Sequence, residues 1–246
     1  MTPRLGPRDG TSRDVREFWE AESCGERYFP DGRVNFADAD EARYMLEPMI
    51  GEFARFDDPF DGVGVEIGLG LGGDHERLRK RGGTWIGVDL TSRALEHTAQ
   101  RVGKGSLTQA DAERLPIQDC SVDLVYSWGV LLCCPNITAA IAEVHRVLRP
   151  GGEARIMLYH TYSWVALAAW LRWGIVHGVG LKRAVSYMES PGTQAFSVTE
   201  APRLLEPFAK VDIETVHTTW DEKWFGPIGR IGGNRLGWFL LCHAVK

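Results

Sequence analysis

The spacing of apolar residues changes character near residue 60. Before it, Val15, Phe18 and Trp19 recur at helical intervals, which predicts a helix capped by Thr11 or Ser12 and stopped by Gly25. A second helix is predicted from about Asp38, carrying Ala42, Met45, Leu46, Met49, Ile50 and Phe53, with Pro48 kinking or restarting it. A short polar and aromatic segment, residues 24–29, separates the two. From Gly62 onward short apolar runs alternate with amphipathic stretches. The runs at 63–67, 84–90, 107–110, 122–127 and 154–159 read as buried strands. The stretches at 74–81, 92–101 and 138–148 read as helices, the last stopped by Pro150-Gly151-Gly152. Residues 161–196 break the alternation. They are followed by a helix predicted at 198–208 and closing strands at 211–218 and 236–245.

Strand and helix in repetition predict an α/β fold: a doubly wound, mainly parallel sheet with helices on both faces. Residues 1–60 form a predicted N-terminal helical cap. Residues 61–246 form the main domain, with 161–196 as a helical insertion after the fifth strand. At 246 residues the chain can bury a full core without staples. Its 44% hydrophobic and 25% charged composition excludes a disordered or fibrous chain. A net charge of -5 with interspersed signs argues against a nucleic-acid partner. The five cysteines are an odd number, and the polar N-terminus lacks a secretory apolar stretch, so free thiols in a reducing cytoplasm are expected. Cys133-Cys134 has no second pair at metal-ligand spacing and reads as core; no metal site is expected.

The segment joining the first strand to its helix, Val65-Glu-Ile-Gly-Leu-Gly-Leu-Gly-Gly-Asp74, is rich in glycine. Glycine lets backbone turn tightly and approach a ligand without a Cβ in the way, and the loop feeds a helix N-terminus suited to polar groups. Gly68, Gly70 and Gly73 also fit the dinucleotide spacing G-x-G-x-x-G, so the loop alone leaves a dehydrogenase open. Nineteen residues after Gly70, Asp89 ends the second strand, where an acid reaches ribose hydroxyls. Its alternative is a helix N-cap, a job that Thr91 or Ser92 can do.

The surroundings of these residues resemble the class I, Rossmann-like S-adenosylmethionine-dependent methyltransferases, particularly the small-molecule branch with quinone-ring and natural-product enzymes. The shared pattern is Glu66 followed by Gly68, Gly70 and Gly72; then Ala110-Asp111-Ala112-Glu113; then Ser121 to Ser127; then Leu148-Arg-Pro-Gly-Gly152. The resemblance covers roughly residues 60–160 and 198–246. It implies a seven-stranded sheet whose last strand is antiparallel, and S-adenosylmethionine as cofactor. It also implies roles: Glu66 as the motif's acid, Gly68, Gly70 and Gly72 lining the amino-acid and ribose part, and Asp89 on the ribose. Leu90 would pack on the adenine, with Asp111 and the Ala112 N–H at its edge and the Ser127 carbonyl toward the methionine amine. Asp123 reads as a surface turn residue. Relatives often carry two histidines where this chain has Leu132 and Cys133, so no role is inherited there.

Methyl transfer asks mainly for alignment and exclusion of water, with a base only where the nucleophile arrives protonated. His160, ending the fifth strand, is the candidate base, against a structural histidine bonded to a loop carbonyl. Tyr28, with Phe29, is the candidate contribution of the cap. Trp164, Trp170 and Trp173 make the insertion read as a lid, in preference to a homodimer surface or a membrane contact; as a transmembrane span it is too short. The expected acceptor is a small flat aromatic such as an indole or phenol, with quinone-ring C-methylation or O-methylation as variants. An NAD-dependent oxidoreductase and a non-catalytic cofactor-binding protein are the rival readings.

Overall fold

The computed structural model describes residues 10–29 and 33–246, so the first nine positions of the expected cap lie outside it. Helix α1 (Ser12–Ala21) begins at a capping box: the Thr11 side chain accepts from the Asp14 N–H while Asp14 accepts from Thr11. It ends four residues before Gly25, which instead opens a 3-10 turn at Glu26–Tyr28. Helix α2 (Phe36–Leu46) starts earlier than the periodicity predicts, because Asn35 caps it through bonds from the Ala37 and Asp38 N–H groups. Pro48 interrupts it, and α3 (Ile50–Ala54) follows.

The sheet runs β1 (Val63–Ile67), β2 (Thr84–Asp89), β3 (Leu107–Gln109), β4 (Val122–Trp128), β5 (Leu148–His160), β6 (Ala195–Phe196), β7 (Lys210–Val216) and β8 (Phe239–Val245). Spatial order is β3-β2-β1-β4-β5-β8-β7, with the two-residue β6 pairing parallel to the end of β5. All pairings through β5 are parallel, and β8 is antiparallel to both β5 and β7. Helices α4 (Gly73–Lys80), α5 (Ser92–Val102) and α6 (Ile137–Val147) make the crossovers. The expected α/β sheet with its antiparallel closing strand is thus present. Because β1 lies between β2 and β4, chain direction across the sheet reverses there, and the crevice beyond the carboxyl ends of these strands is the natural ligand site.

Three expectations fail. Pro150-Gly151-Gly152 does not separate a helix from a strand: β5 already starts at Leu148 and carries the turn as a register shift opposite Val122 and Leu124. An irregularity of this kind accommodates a proline inside a ladder. The helix expected at 198–208 shrinks to α10 (Ala201–Leu204), with Pro202 near its start. Between the closing strands sits an unexpected helix, α11 (Thr219–Phe225), begun by a Thr218–Asp221 capping box. The insertion folds as α7 (Trp164–Ala169), a π-turn at Trp170–Gly174, α8 (Ile175–His177) and α9 (Leu181–Ala184).

Candidate active site

The glycine loop turns on three residues with different tasks. Gly68 takes φ +86°, and a Cβ there would collide with the Val130 side chain, so its bareness lets the exit of β4 pack against the loop. Gly72 caps α4 in the left-handed region, and a Cβ would press on Thr98 of α5 at 2.8 Å. Gly70 is different. Its φ is +53°, and the nearest atoms to an added Cβ belong to Cys24, at 3.7 Å. Open space above exposed backbone at the switch point is what a nucleoside cofactor needs.

Asp89 faces that loop from the end of β2. One carboxylate oxygen accepts from the Leu69 N–H at 2.7 Å; the other accepts from the Thr91 N–H (2.9 Å) and hydroxyl (2.8 Å). Burial pushes its carboxyl up, and these donors oppose the rise. The Gly70 N–H also bears on this carboxylate, so with about four lone-pair positions a ligand hydroxyl would share an oxygen with the loop's own donors. Thr91 caps α5, leaving Asp89 without that task. Leu90 is half-buried beside it, and the Ala110 N–H donates to the Asp89 carbonyl at 2.9 Å, bringing the next motif alongside. There Asp111 accepts from the Glu113 N–H, while the Ala112 N–H finds no partner among the described residues. These groups fit a nucleoside laid across the ends of β1, β2 and β3.

Glu66 and Ser127 serve the frame. Glu66 is buried, with one carboxylate oxygen 2.9 Å from His75 Nδ1 on α4. Burial, then the nearby charges of Asp74 and Asp89, push its carboxyl well up, and burial lowers His75 to about 4, so the two meet as a neutral pair. Glu66 therefore clamps the loop to α4 and does not line the open crevice. The Ser127 hydroxyl donates to the Ile67 carbonyl at 3.1 Å, tying β4 to β1, and β4 runs one residue further, to Trp128. Asp123, expected as a surface residue, accepts from the Val63 N–H at 2.7 Å and pairs with Arg149, fixing the start of β1.

Sequence reasoning missed the ion-pair network that fastens the cap over this edge. Arg43 of α2 donates twice to Asp74 (3.1 and 2.6 Å), which also accepts from the Tyr44 and Tyr126 hydroxyls. Burial works to raise the Asp74 carboxyl, but Arg43 and the phenols outweigh it and hold it low. Arg101 reaches Asp40, Glu76 and the Leu71 carbonyl, and Glu26 takes a bidentate pair of bonds from Arg93. The partners lie 25 to 67 residues apart, so no local signal reveals them.

Cys24, from the cap, is exposed and stands 3.7 Å from where a Cβ on Gly70 would lie, with Arg43, Glu189, Glu47 and Arg27 around it. Glu189, from the insertion, accepts from the Tyr159 hydroxyl at 2.8 Å, and burial raises its carboxyl. Cys133 lies beside it, its thiol raised to about 12 by burial and then by Glu189. The Tyr159 ring stacks on Trp238 at 4.2 Å. The cap, the insertion and the end of β5 thus bring Cys24, Glu189, Cys133 and Tyr159 together beside Gly70.

His160 sits on the other face. It is 2% exposed, its Nδ1 lies 3.1 Å from the Gly237 carbonyl, and burial lowers its pKa while Gly237 and Asp221 work to raise it. Side chains alternate along β5 as expected, but it is Tyr159 that meets Glu189. Tyr28 is 53% exposed, with the Arg27 guanidinium over its ring, whereas His160 meets Gly237 and the Tyr162 ring. The insertion's tryptophans hold their own scaffold: Trp164 Nε1 donates to the Ile231 carbonyl, Trp170 Nε1 donates to the Val179 carbonyl, and Arg172 covers Trp173.

The family model described as a methyltransferase domain matches residues 65–156, from β1 into β5. Among curated proteins, malonyl-acyl-carrier-protein O-methyltransferase of Serratia marcescens is 32% identical over 99 residues, 40% of this chain and 38% of that protein. The chain therefore matches well under half of that relative's length. Among solved structures, an N-methyltransferase of Haemonchus contortus in complex with S-adenosylhomocysteine superposes with a TM-score of 0.64 at 16% identity, covering 94% of this chain and 60% of that one. The cyclase SpnF superposes over 99% of this chain and 98% of its own, with a TM-score of 0.60 at 15% identity. At such identities these two speak for the fold. The domain match covers the glycine loop, Asp89 and the Ala110–Glu113 motif together, and it decides between the two cofactors that the loop left open. The chain carries a class I, Rossmann-like methyltransferase domain of the S-adenosylmethionine-dependent kind.

Proposed function

We propose that the chain transfers a methyl group from S-adenosylmethionine to a small, flat acceptor held in a recess between the glycine loop and Glu189. The observation that carries this reading is the gathering of Cys24, Glu189, Cys133 and Tyr159 beside the open backbone at Gly70. Bound there, S-adenosylmethionine supplies a methyl group on a positively charged sulfur, open to in-line attack. Asp89 and the Ala112 N–H would hold the nucleoside, and Gly70 would give it room. Tyr159, which bonds Glu189, and the Trp238 ring stacked on it are largely buried, so a guest beside Glu189 would meet an aromatic environment that suits an indole or phenol. Alignment of the acceptor and exclusion of water by the cap and insertion are the main contributions, worth several kcal/mol.

An acceptor that arrives as a hydroxyl or an amine must lose a proton. Glu189 is better placed to take it than His160, because its carboxylate lies at the recess and burial has raised its proton affinity. Five free thiols support work in the reducing cytoplasm. The malonyl thioester named for the curated relatives belongs in the test as a separate arm, since the matched residues span only 40% of this chain.

The test is release of S-adenosylhomocysteine with a panel of phenols, indoles, aromatic amines and malonyl thioesters. An aromatic acceptor is expected to turn over, and Glu189→Gln is expected to lower kcat by about tenfold or more with cofactor affinity unchanged, as for a proton-transfer group. Turnover of the thioester alone would reject the aromatic reading. A fully active Glu189→Gln would reject the base.

A further inference from the structure

Of the ten large apolar side chains exposed among the described residues, six lie on two neighbouring segments: Leu171, Ile175 and Val176 of the insertion, and Trp224, Ile228 and Ile231 after β7. Val176 is 77% exposed and Ile231 61%. The two segments are joined at Trp164, whose Nε1 donates to the Ile231 carbonyl at 2.8 Å and whose ring lies 5.1 Å from Phe225. Leu171 lies in the π-turn that joins the helix of Trp164 to Ile175 and Val176, so the exposed apolar side chains of the insertion follow directly on the junction with Ile231. Scattered apolar residues need no explanation, but a contiguous patch does.

We propose that this face docks on an anionic lipid surface. The charge around the patch selects that occupant. Residues 161–196 carry Arg172, Lys182 and Arg183 against one acid, Glu189, which is turned inward to Tyr159, although Lys182 pairs with Glu200 beyond the segment. Residues 219–236 carry Lys223, Arg230 and Arg235; of their two acids, Asp221 is buried in its capping box and Glu222 pairs with Arg230. In a chain of net charge -5 this basic bias is local. Arg172 lies over Trp173 at 5.1 Å and Lys223 over Trp220 at 4.4 Å, so their stems cover apolar surface while their heads reach outward. Apolar and aromatic side chains inside a basic collar are the composition of an interfacial anchor. A twofold contact with a second copy would set the collar against itself, which disfavours it. No single described helix is long and apolar enough to span a membrane; Trp164–His177 and Leu181–Tyr187 reach that length and apolarity only together, and they meet at 97°, a bend that suits lying along a surface. This inference does not depend on the methyl-transfer reading.

Co-sedimentation with phosphatidylcholine vesicles, with and without phosphatidylglycerol, tests it. The full chain is expected to sediment with the anionic vesicles, less so in high salt and with neutral vesicles. The double substitution Ile175→Glu/Val176→Glu, at two exposed positions, is expected to weaken that binding about tenfold or more at unchanged melting temperature. Absence of sedimentation, equal binding to neutral vesicles, or an unaffected double variant overturns the proposal. So does a concentration-dependent dimer in light scattering that the same substitutions dissolve, which would make the face a contact between copies.

Discussion

Gly70 carries the strictest local demand in the loop. Its φ of +53° is costly for any side chain, by about 1–2 kcal/mol, and prohibitive for a β-branched one. Valine there would disturb the turn and the ligand space together, so alanine is the informative substitution. Gly70→Ala meets only Cys24, at 3.7 Å, and is expected to stay folded with a melting temperature a few degrees lower. Its S-adenosylmethionine affinity is expected to fall about tenfold, because the methyl group projects into the space the ligand would fill. Calorimetric titration beside a thermal melt checks this; unchanged affinity would place the ligand away from Gly70. His160 and Tyr159 teach a related lesson. The sequence shows that they alternate, but only the structure shows that it is Tyr159 which meets Glu189, thirty residues on.

Among the elements, the N-terminal cap is held by ion pairs in addition to the apolar packing of Val15, Ile50 and Ala54 in the core. Glu26 accepts from Arg93 and from the Ser23 N–H, and the Arg93 bond foremost draws its carboxyl from 4.5 down to about 2. A folded pKa below the unfolded one contributes stability that is complete above pH 4.5 and is lost as pH falls toward 2. Cap docking is therefore expected to weaken across that window, and Glu26→Gln to cost about 1–3 kcal/mol at neutral pH and much less at pH 2. Limited proteolysis of residues 10–29 with parallel melts at both pH values reads this directly. A pH-independent difference between wild type and Glu26→Gln would mean that the Arg93 pair does not hold the cap. The cap's helices were legible because their signals are local: Thr11 with Asp14, and Pro48 as a break. The early start of β5 was not, since a Pro-Gly-Gly turn reads as a boundary until a neighbouring strand absorbs it as an irregularity. Nor was α11, whose buried Asp221 has meaning only beside the Trp238 N–H that it accepts from.

At the scale of the molecule, the alternation of strands and helices was enough to name the parallel sheet, but not the strand order that sets its switch point. Nor was it enough to bring Glu189 near Cys24, because the insertion and the cap meet there from distant parts of the chain. The SpnF likeness shows that this architecture also serves a cyclase, so the fold leaves the chemistry to the site. Titration calorimetry of the chain with S-adenosylmethionine and with NAD, repeated on Asp89→Ala, tests most directly whether the edge formed by Gly70, Asp89 and Ala112 holds S-adenosylmethionine. Saturable binding of S-adenosylmethionine and none of NAD is expected, with a loss of about 1–3 kcal/mol in the variant as ribose hydroxyls lose their charged acceptor. Binding of NAD in its place, or an Asp89→Ala protein that stays folded and binds S-adenosylmethionine as tightly as wild type, would contradict it.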